Sequence, residues 1–284
     1  MTTEIRTPPT VLLIDADPFK YRFAWHHVNT PLERADELKR DIRIAVKEMC
    51  SMAQVDSYIG IFGTTAEFRV NAYKFKKYKG NRPPKEEFVK KWEEIIESYC
   101  IEDLGFVKVN GMEADDAIGF LMKRSGKYCC ASPDKDMLQL PGWHLQVRDK
   151  KMEDGTERLS GTLRDISLLD AQRTFWTQML EGDTSDNVAG VPGLGEKKAK
   201  EKLKNAWDDP IQMGIDVASA YDSYFGPYYG PIIYQETLVA LQMGDPAYIE
   251  PLLREQFGDQ KITRHISEIP DAEDAFHIPF PDFE

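Results

Sequence analysis

The sequence predicts an α/β domain, a mainly parallel central sheet flanked by helices, followed by a smaller helical module. Three observations carry this. Apolar runs that end in a carboxylate or a glycine recur, segments with helical apolar spacing fall between them, and glycine-broken helical segments follow after about Arg164. A chain of 284 residues can form one substantial core with an attached module.

TVLLID, Thr10 to Asp15, is a continuous apolar run closed by an acid, as expected of a buried parallel strand with a functional residue at its C-terminal end. SYIGIFG (57–63) and KYCCASPD (127–134) read the same way. DELKRDIRIAVKEMCSMA and KEEFVKKWEEIIESYC lie between as helices. The second suits either an ordinary amphipathic surface helix or one that touches nucleic acid. Cys129 and Cys130, adjacent on a strand, point to opposite faces; with Cys50 and Cys100 they read as buried structural thiols. Trp92, Trp176 and Trp207 read as core, and His26 and His27 as surface or packing residues. The expected boundaries are 1–164 for the α/β core, 165–244 for the helical module, and 245–284 for an acidic, proline-punctuated tail. No segment resembles a leader or a membrane span, so a cytoplasmic monomer is expected.

The formal charge of -12 argues at first against a polyanionic partner, but its distribution does not. RVNAYKFKKYKGNRPPK (69–85) holds Arg69, Lys74, Lys76, Lys77, Lys79, Arg82 and Lys85 and no acid. Acids cluster elsewhere: Asp15 at a strand end, Glu113, Asp115 and Asp116 at a helix start, Asp134 and Asp136 past a strand, and Asp183 and Asp186 three apart. A first-turn acid favours the helix dipole, yet carboxylates converging from several segments repel one another unless a cation lies between them. Without a histidine or cysteine cluster, the donor set suits a hard cation such as Mg²⁺ or Mn²⁺ rather than zinc.

EGDTSDNVAGVPGLGEKKA, beginning at Glu181, is the most specific stretch. Gly190, Gly193 and Gly195 bound a turn that leads into a helix carrying Lys197 and Lys198. Such a turn offers backbone N–H groups to a phosphate without reading a base. The string resembles the helix-hairpin-helix element of DNA enzymes, and the hairpin is also a candidate monovalent-cation site.

Taken together, IDADPFKYR, FRVNAYKFKKYKGNR, MEADD, SPDKDMLQL and GDTSDNVAGVPGLGEKKA occur in one order over roughly Thr10 to Leu203. In that order they resemble the 5′-nuclease family of flap endonucleases and 5′→3′ exonucleases, to which phage 5′-nucleases and the 5′-nuclease domain of bacterial DNA polymerase I belong. The resemblance implies a mixed, PIN-like α/β core, a helical arch, here near 74–100, and a helix-three-turn-helix module. It implies metal-dependent cleavage of DNA at 5′ ends, flaps and branches, with RNA primers or RNA–DNA hybrids as further candidates and replication proteins as candidate partners. By resemblance, Asp15, Glu113, Asp115, Asp134 and Asp136 hold the principal metal set, and Asp116, Asp183 and Asp186 place a second ion. Lys79 and Arg82 contact the scissile phosphate, Tyr78 stacks on a terminal base, and Arg22 either grips a phosphate or pairs with a carboxylate.

One departure stands out. The family has an Asp at the end of the second strand, where IFGTTAEFR supplies Gly63, Thr64 and Thr65. Asp17 or Glu67 is the candidate substitute, and the gap motivates a competing reading, a branched-DNA-binding protein with weak or lost catalysis.

Overall fold

The computed structural model describes residues 7–27, 31–151, 157–258 and 260–269. Its main sheet has the order β3-β2-β1-β4-β5-β6. β1 (Val11–Asp15) lies at the centre, parallel to β2 (Ser57–Phe62) on one side and to β4 (Tyr128–Ser132) on the other. All five residues of β1 are buried, so the run needs no polar face, and each fully buried leucine or isoleucine contributes about 1.5–3 kcal/mol. β3 (Val107–Lys108) is parallel to β2, and β5 (Gly142–Lys151) to β4. β6 (Glu157–Ile166) runs antiparallel to β5, which makes the sheet mixed.

Helices cover both faces. On one side α1 (Ala16–His26), α2 (Ala35–Ala53) and α4 (Glu87–Glu102) pack through Phe19, Leu38, Ile42 and Trp92 onto Leu12, Ile14 and Cys129. On the other, α5 (Ala114–Arg124) and α9 (Pro246–Phe257) pack through Ile118 and Ile249 onto Leu13, Ile59 and Cys130. Cys129 and Cys130 thus belong to opposite cores, and all four thiols are buried and free. α3 (Glu67–Ala72) leads from β2 into the basic stretch.

The helical module has its own core. α6 (Leu168–Glu181) starts at Ser167, whose hydroxyl accepts from the Asp170 amide. A small ladder of β7 (Gly182–Asp183) and β8 (Val188–Ala189) follows, then α7 (Glu196–Leu203) and α8 (Pro210–Leu241). α8 is broken at Gly226 (φ 85°), and its halves fold back on each other: Tyr221 meets Tyr234 edge-on at 5.6 Å. Asp209-Pro210 and Asp245-Pro246 open α8 and α9 in the same way, an Asp side chain capping the first turn and a proline at the position that needs no N–H.

Two expectations need correction. Residues 74–86 form no helix; α4 begins at Glu87 and buries Trp92, Ile96 and Tyr99 while Lys90, Lys91 and Glu94 face water. The arch segment is therefore a loop followed by an ordinary amphipathic helix. Nor is 245–269 a tail, since α9 is docked and β9 (Arg264–His265) pairs antiparallel with the start of β2. The rest of the expected tail, 270–284, lies outside the described residues.

Candidate active site

Parallel strands bring their C-terminal ends to one edge of the sheet, and that edge carries the acids. Asp15 closes β1; its Oδ2 accepts a hydrogen bond of 2.8 Å from Ser132 Oγ at the end of β4. The Ser132 Oγ also accepts from the Asp134 amide at 3.1 Å, linking the two strand ends. Asp134 in turn caps the 3-10 turn Lys135–Gln139, accepting from the Asp136 amide at 2.8 Å. Burial, reinforced by Asp17, pushes the Asp15 carboxyl up to about 7, and burial beside Asp134 and Asp183 does the same to Asp136. Asp134 is raised for the same reason.

Opposite them, α5 starts with a reciprocal cap: the Glu113 side chain accepts from the Asp116 amide, and the Asp116 side chain accepts from the Glu113 amide. Glu113, Asp115 and Asp116 each place a carboxylate oxygen within 4.8 Å of the others. Local capping explains only part of this cluster, because Arg69 is driven into it. The guanidinium, 2 % exposed, donates to Glu113 Oε2 at 2.6 Å and to Asp116 Oδ1 at 2.7 Å and lies 3.6 Å from Asp115 Oδ1. Asp115 and Asp116 are nonetheless held above the carboxylate range, chiefly by burial.

The remaining acids come from the helical module. Asp183 Oδ1 accepts from Ser185 N, Ser185 Oγ and Asp186 N, forming a tight turn between β7 and β8. Asp115, Asp134, Asp136, Asp183 and Asp186 line one cavity of about 80 Å³ together with Arg69, Lys79 and Arg82. The loop from Tyr73 to Arg82 closes this cavity and laces the two parts of the chain together. Lys79 N donates to Asp186 O at 2.7 Å, Asn81 Nδ2 to Thr184 O at 2.6 Å, and Asn187 Nδ2 to Lys77 O at 2.8 Å. Lys79 Nζ pairs with Glu113, and Arg82 with Asp186.

The acid set, Lys79 and Arg82 thus converge, whereas other site residues stand elsewhere. Tyr78 is buried rather than free to stack; its hydroxyl lies 2.9 Å from both Glu113 Oε2 and Asp186 Oδ2 and donates its single proton to one of them. Arg22 is taken up by Asp149 of β5, with Nε donating at 2.6 Å, and by no acid of the cleft. Gly190 is demanded by packing, since a Cβ there would stand 2.3 Å from Leu180 O. Gly193 (φ 84°) and Gly195 shape the turn before α7, where Lys197 and Lys198 are exposed. This turn borders a second cleft of about 340 Å³, which Lys76 also lines.

The gap at the end of β2 has a steric cause. A Cβ on Gly63 would lie 2.3 Å from the Ala114 amide nitrogen and 2.8 Å from Glu113 Cα, so no carboxylate side chain fits there. Thr64 Oγ1 accepts from the Gly111 amide, 2.9 Å, and Thr64 N donates to Met112 O, which ties this residue to the loop before α5. Asp17 stands beside the gap: its Oδ2 accepts from Gly63 N at 3.0 Å. Glu67 is an exposed residue in the first turn of α3.

Sequence reasoning passed over Arg69 and Ser132. Both act on partners 44–47 and 117 residues away, and the only local signal was a cation or hydroxyl at an otherwise apolar position.

Known proteins resemble the chain in sequence and in fold. DNA polymerase I of Chloroflexus aurantiacus is 28% identical over 227 residues, 74% of this chain but 24% of the polymerase. A 5′-3′ exonuclease of Streptomyces coelicolor is 32% identical over 130 residues, 43% of each chain. The chain thus spans about a quarter of the polymerase and under half of the exonuclease. Among solved structures, the T5 D15 protein co-crystallised with metal ions superposes over 94% of this chain and 98% of its own at TM-score 0.58 and 14% identity. The bacteriophage T5 D15 flap endonuclease in a pseudo-enzyme-product complex with DNA and metal ions gives 0.56 at 16% identity, over 94% and 97%. At these identities the likeness concerns the fold. The family model described as 5′-3′ exonuclease, N-terminal resolvase-like domain, matches residues 10–162, more than half of the sequence, and the chain belongs to that family.

Proposed function

We propose that the chain is a divalent-metal-dependent 5′-nuclease that hydrolyses DNA phosphodiesters at 5′ ends and flaps. The observation that carries this is the convergence of acids from α5, the turn after β4 and the β7–β8 turn on one cavity, with Asp15 of β1 tied to Asp134 through Ser132, next to Lys79, Arg82 and a glycine hairpin.

The donor set fits a hard cation. Every candidate ligand is a carboxylate; one buried oxygen, Asp115 Oδ1, receives no hydrogen bond; and among the described residues no cation pairs with Asp15, Asp134 or Asp136. Asp15, Glu113, Asp115, Asp134 and Asp136 would hold a principal Mg²⁺ or Mn²⁺, with Asp17 in place of the strand-end acid, and Asp116, Asp183 and Asp186 would serve a second. Such ions, when bound, would supply Lewis acidity, acidifying a water and offsetting charge on the leaving oxygen. The protein's own groups do the rest. Ser132 orients the Asp15 carboxylate. Lys79 and Arg82 exchange Glu113 and Asp186 for the phosphate and put positive charge where the transition state gathers negative charge. The Gly193–Gly195 turn and Lys197 and Lys198 hold a backbone phosphate of the duplex and so set the distance to the cut.

The vacant strand-end position at Gly63 favours a second reading, a branched-DNA binder without catalysis. Incubation with a 5′-flap duplex and Mg²⁺ or Mn²⁺ decides between them. Metal-dependent release of the flap is expected; tight binding with no product in either metal would establish the binder.

A further inference from the structure

The basic stretch between Arg69 and Lys85 divides into two halves with different neighbours. Lys79, Arg82 and Lys85 are paired with Glu113, Asp186 and Glu93. Lys76 and Lys77 are exposed and, among the described residues, make no ion pair, and Lys74 Nζ donates only to Val70 O. This free half is pinned to the bend of α8. Glu236 Oε2 accepts from both the Lys74 and the Phe75 amides at 2.8 Å, and Phe75 meets Phe225 edge-on at 5.6 Å.

The bend itself is aromatic and bare. Tyr224 is 55% exposed, Tyr228 73% and Tyr229 61%. Its two sides are held in close contact, since a Cβ on Gly230 would stand 2.7 Å from Asp222 Cα, whereas a Cβ on Gly226 would point into open space. Tyr228, Ile232 and Glu236 follow one another at four-residue spacing on the second half of α8, so the tyrosine lies on the face that grips the lysine loop. Three large rings left in water lose the gain that burial would bring, and their own core does not need them.

We propose that this bend and the Lys74–Lys77 loop form a second nucleic-acid site, one for an unpaired single strand. Flat exposed rings stack on bases only where the base faces are open, which a duplex does not allow, and the adjoining lysines meet the backbone. Among the described residues, the acids seen at the bend are Asp222, set against Gly230, and Glu236, already occupied by two amides. The loop continues to Lys79, at most about 14 Å from Phe75 along an extended chain. A single strand on the bend therefore lies within a few nucleotides of the acidic cavity, and Lys76 faces the glycine hairpin on the way. The site goes beyond the nuclease reading, because it is read by binding alone.

The test is anisotropy of a labelled thymidine oligonucleotide and of a blunt duplex of equal length, in Ca²⁺, with wild type and three double variants. Tyr228→Ser with Tyr229→Ser should weaken single-strand binding about tenfold and leave duplex binding unchanged. Tyr228→Phe with Tyr229→Phe should bind as wild type, and Tyr228→Leu with Tyr229→Leu, apolar without a flat ring, should bind as weakly as the serine pair. Unchanged single-strand affinity in the serine and leucine pairs, or an equal loss on duplex, overturns the proposal. So does a wild-type dimer that the serine pair abolishes without weakening the single strand, which would make the bend a contact between copies. Cleavage of the blunt duplex by the serine pair should match wild type; absence of all cleavage in wild type would remove the nuclease reading and leave the binding result standing.

Discussion

Glu113, Asp115 and Asp116 share Arg69, with Lys79 on their outer side, whereas Asp15, Asp134 and Asp136 face them with hydroxyl and amide donors but no cation among the described residues. Both groups are acidic and both line the same end of the sheet. The first carries its own neutralising charge in the fold; the second does not, and its carboxyls sit at about 7 for Asp15 and Asp136. The difference teaches that an acid cluster can be stable for two reasons, an internal counter-ion or protonation, and that the second is the state a metal ion displaces.

Removing the counter-ion should have the largest effect. Arg69→Met leaves Asp116 buried without its counter-ion and Glu113 with Lys79 as its one remaining cation, and should lower stability by about 3–5 kcal/mol, read by urea unfolding. A loss under about 1 kcal/mol would show that water reaches the cluster and the contrast is smaller than drawn.

On the unpaired side the effects should split between activity and stability. Asp136→Asn should cut flap cleavage on the order of a hundredfold or more while raising the melting temperature of the metal-free protein at about pH 8, where Asp136 is ionised beside Asp134 and Asp183. A variant that cleaves normally, or that melts lower, would place Asp136 outside the cation site.

pH sharpens the same point. Because Asp15 and Asp136 have folded pKa values raised above 3.8, the native state binds more protons than the unfolded chain between about pH 4 and pH 7. Stability without metal is therefore greatest near the acid end of that window and falls as pH rises through 7. The melting temperature should be higher at about pH 5.5 than at about pH 8, and millimolar Mg²⁺ should reduce the difference by stabilising the ionised form. A melting temperature independent of pH in metal-free buffer would contradict it.

Asp17 lies between the two groups: its carboxylate accepts from Gly63, and Lys20 stands 3.8 Å away. Asp17→Asn should raise the Mg²⁺ concentration for half-maximal cleavage several-fold without the loss seen for Asp136. Thr64→Asp should not restore it, because the Thr64 side chain is directed to the Gly111 amide. The smallest change is expected far from the acids. Lys197→Ala with Lys198→Ala should lower the slope of log affinity for duplex against log salt by about 2 and leave cleavage at saturating DNA nearly intact. An unchanged slope would remove these lysines from the phosphate contact.

The strands that carry the acids were legible because a buried parallel strand has no polar face to blur the pattern: TVLLID, SYIGIFG and KYCCASPD coincide with β1, β2 and β4 within one or two residues at each end. The acid set was legible as four short groups, and three of them contribute to one cavity. What stayed hidden depends on long-range pairing. Arg69 looks like one more residue of a basic stretch until α5 folds over it. Tyr78, read as a stacking ring, is drawn inward by two carboxylates 35 and 108 residues away. Residues 74–86 lie where the resemblance implied a helical arch, but Gly80, Pro83 and Pro84 break any helix there. The β5–β6 hairpin was missed because it alternates weakly and is half exposed along its length.

β9 has a consequence for the chain as a whole. β3 pairs only with Ile61 and Phe62, so the first part of β2 would present bare amides and carbonyls at the edge of an apolar strand. Arg264 and His265 cover Ser57 and Tyr58 there. An uncovered edge of this kind templates strand addition from another molecule. Loss of the chain beyond Gly258 would thus leave the acids of the cavity in place and instead make the protein self-associate, so β9 guards solubility rather than the acid site.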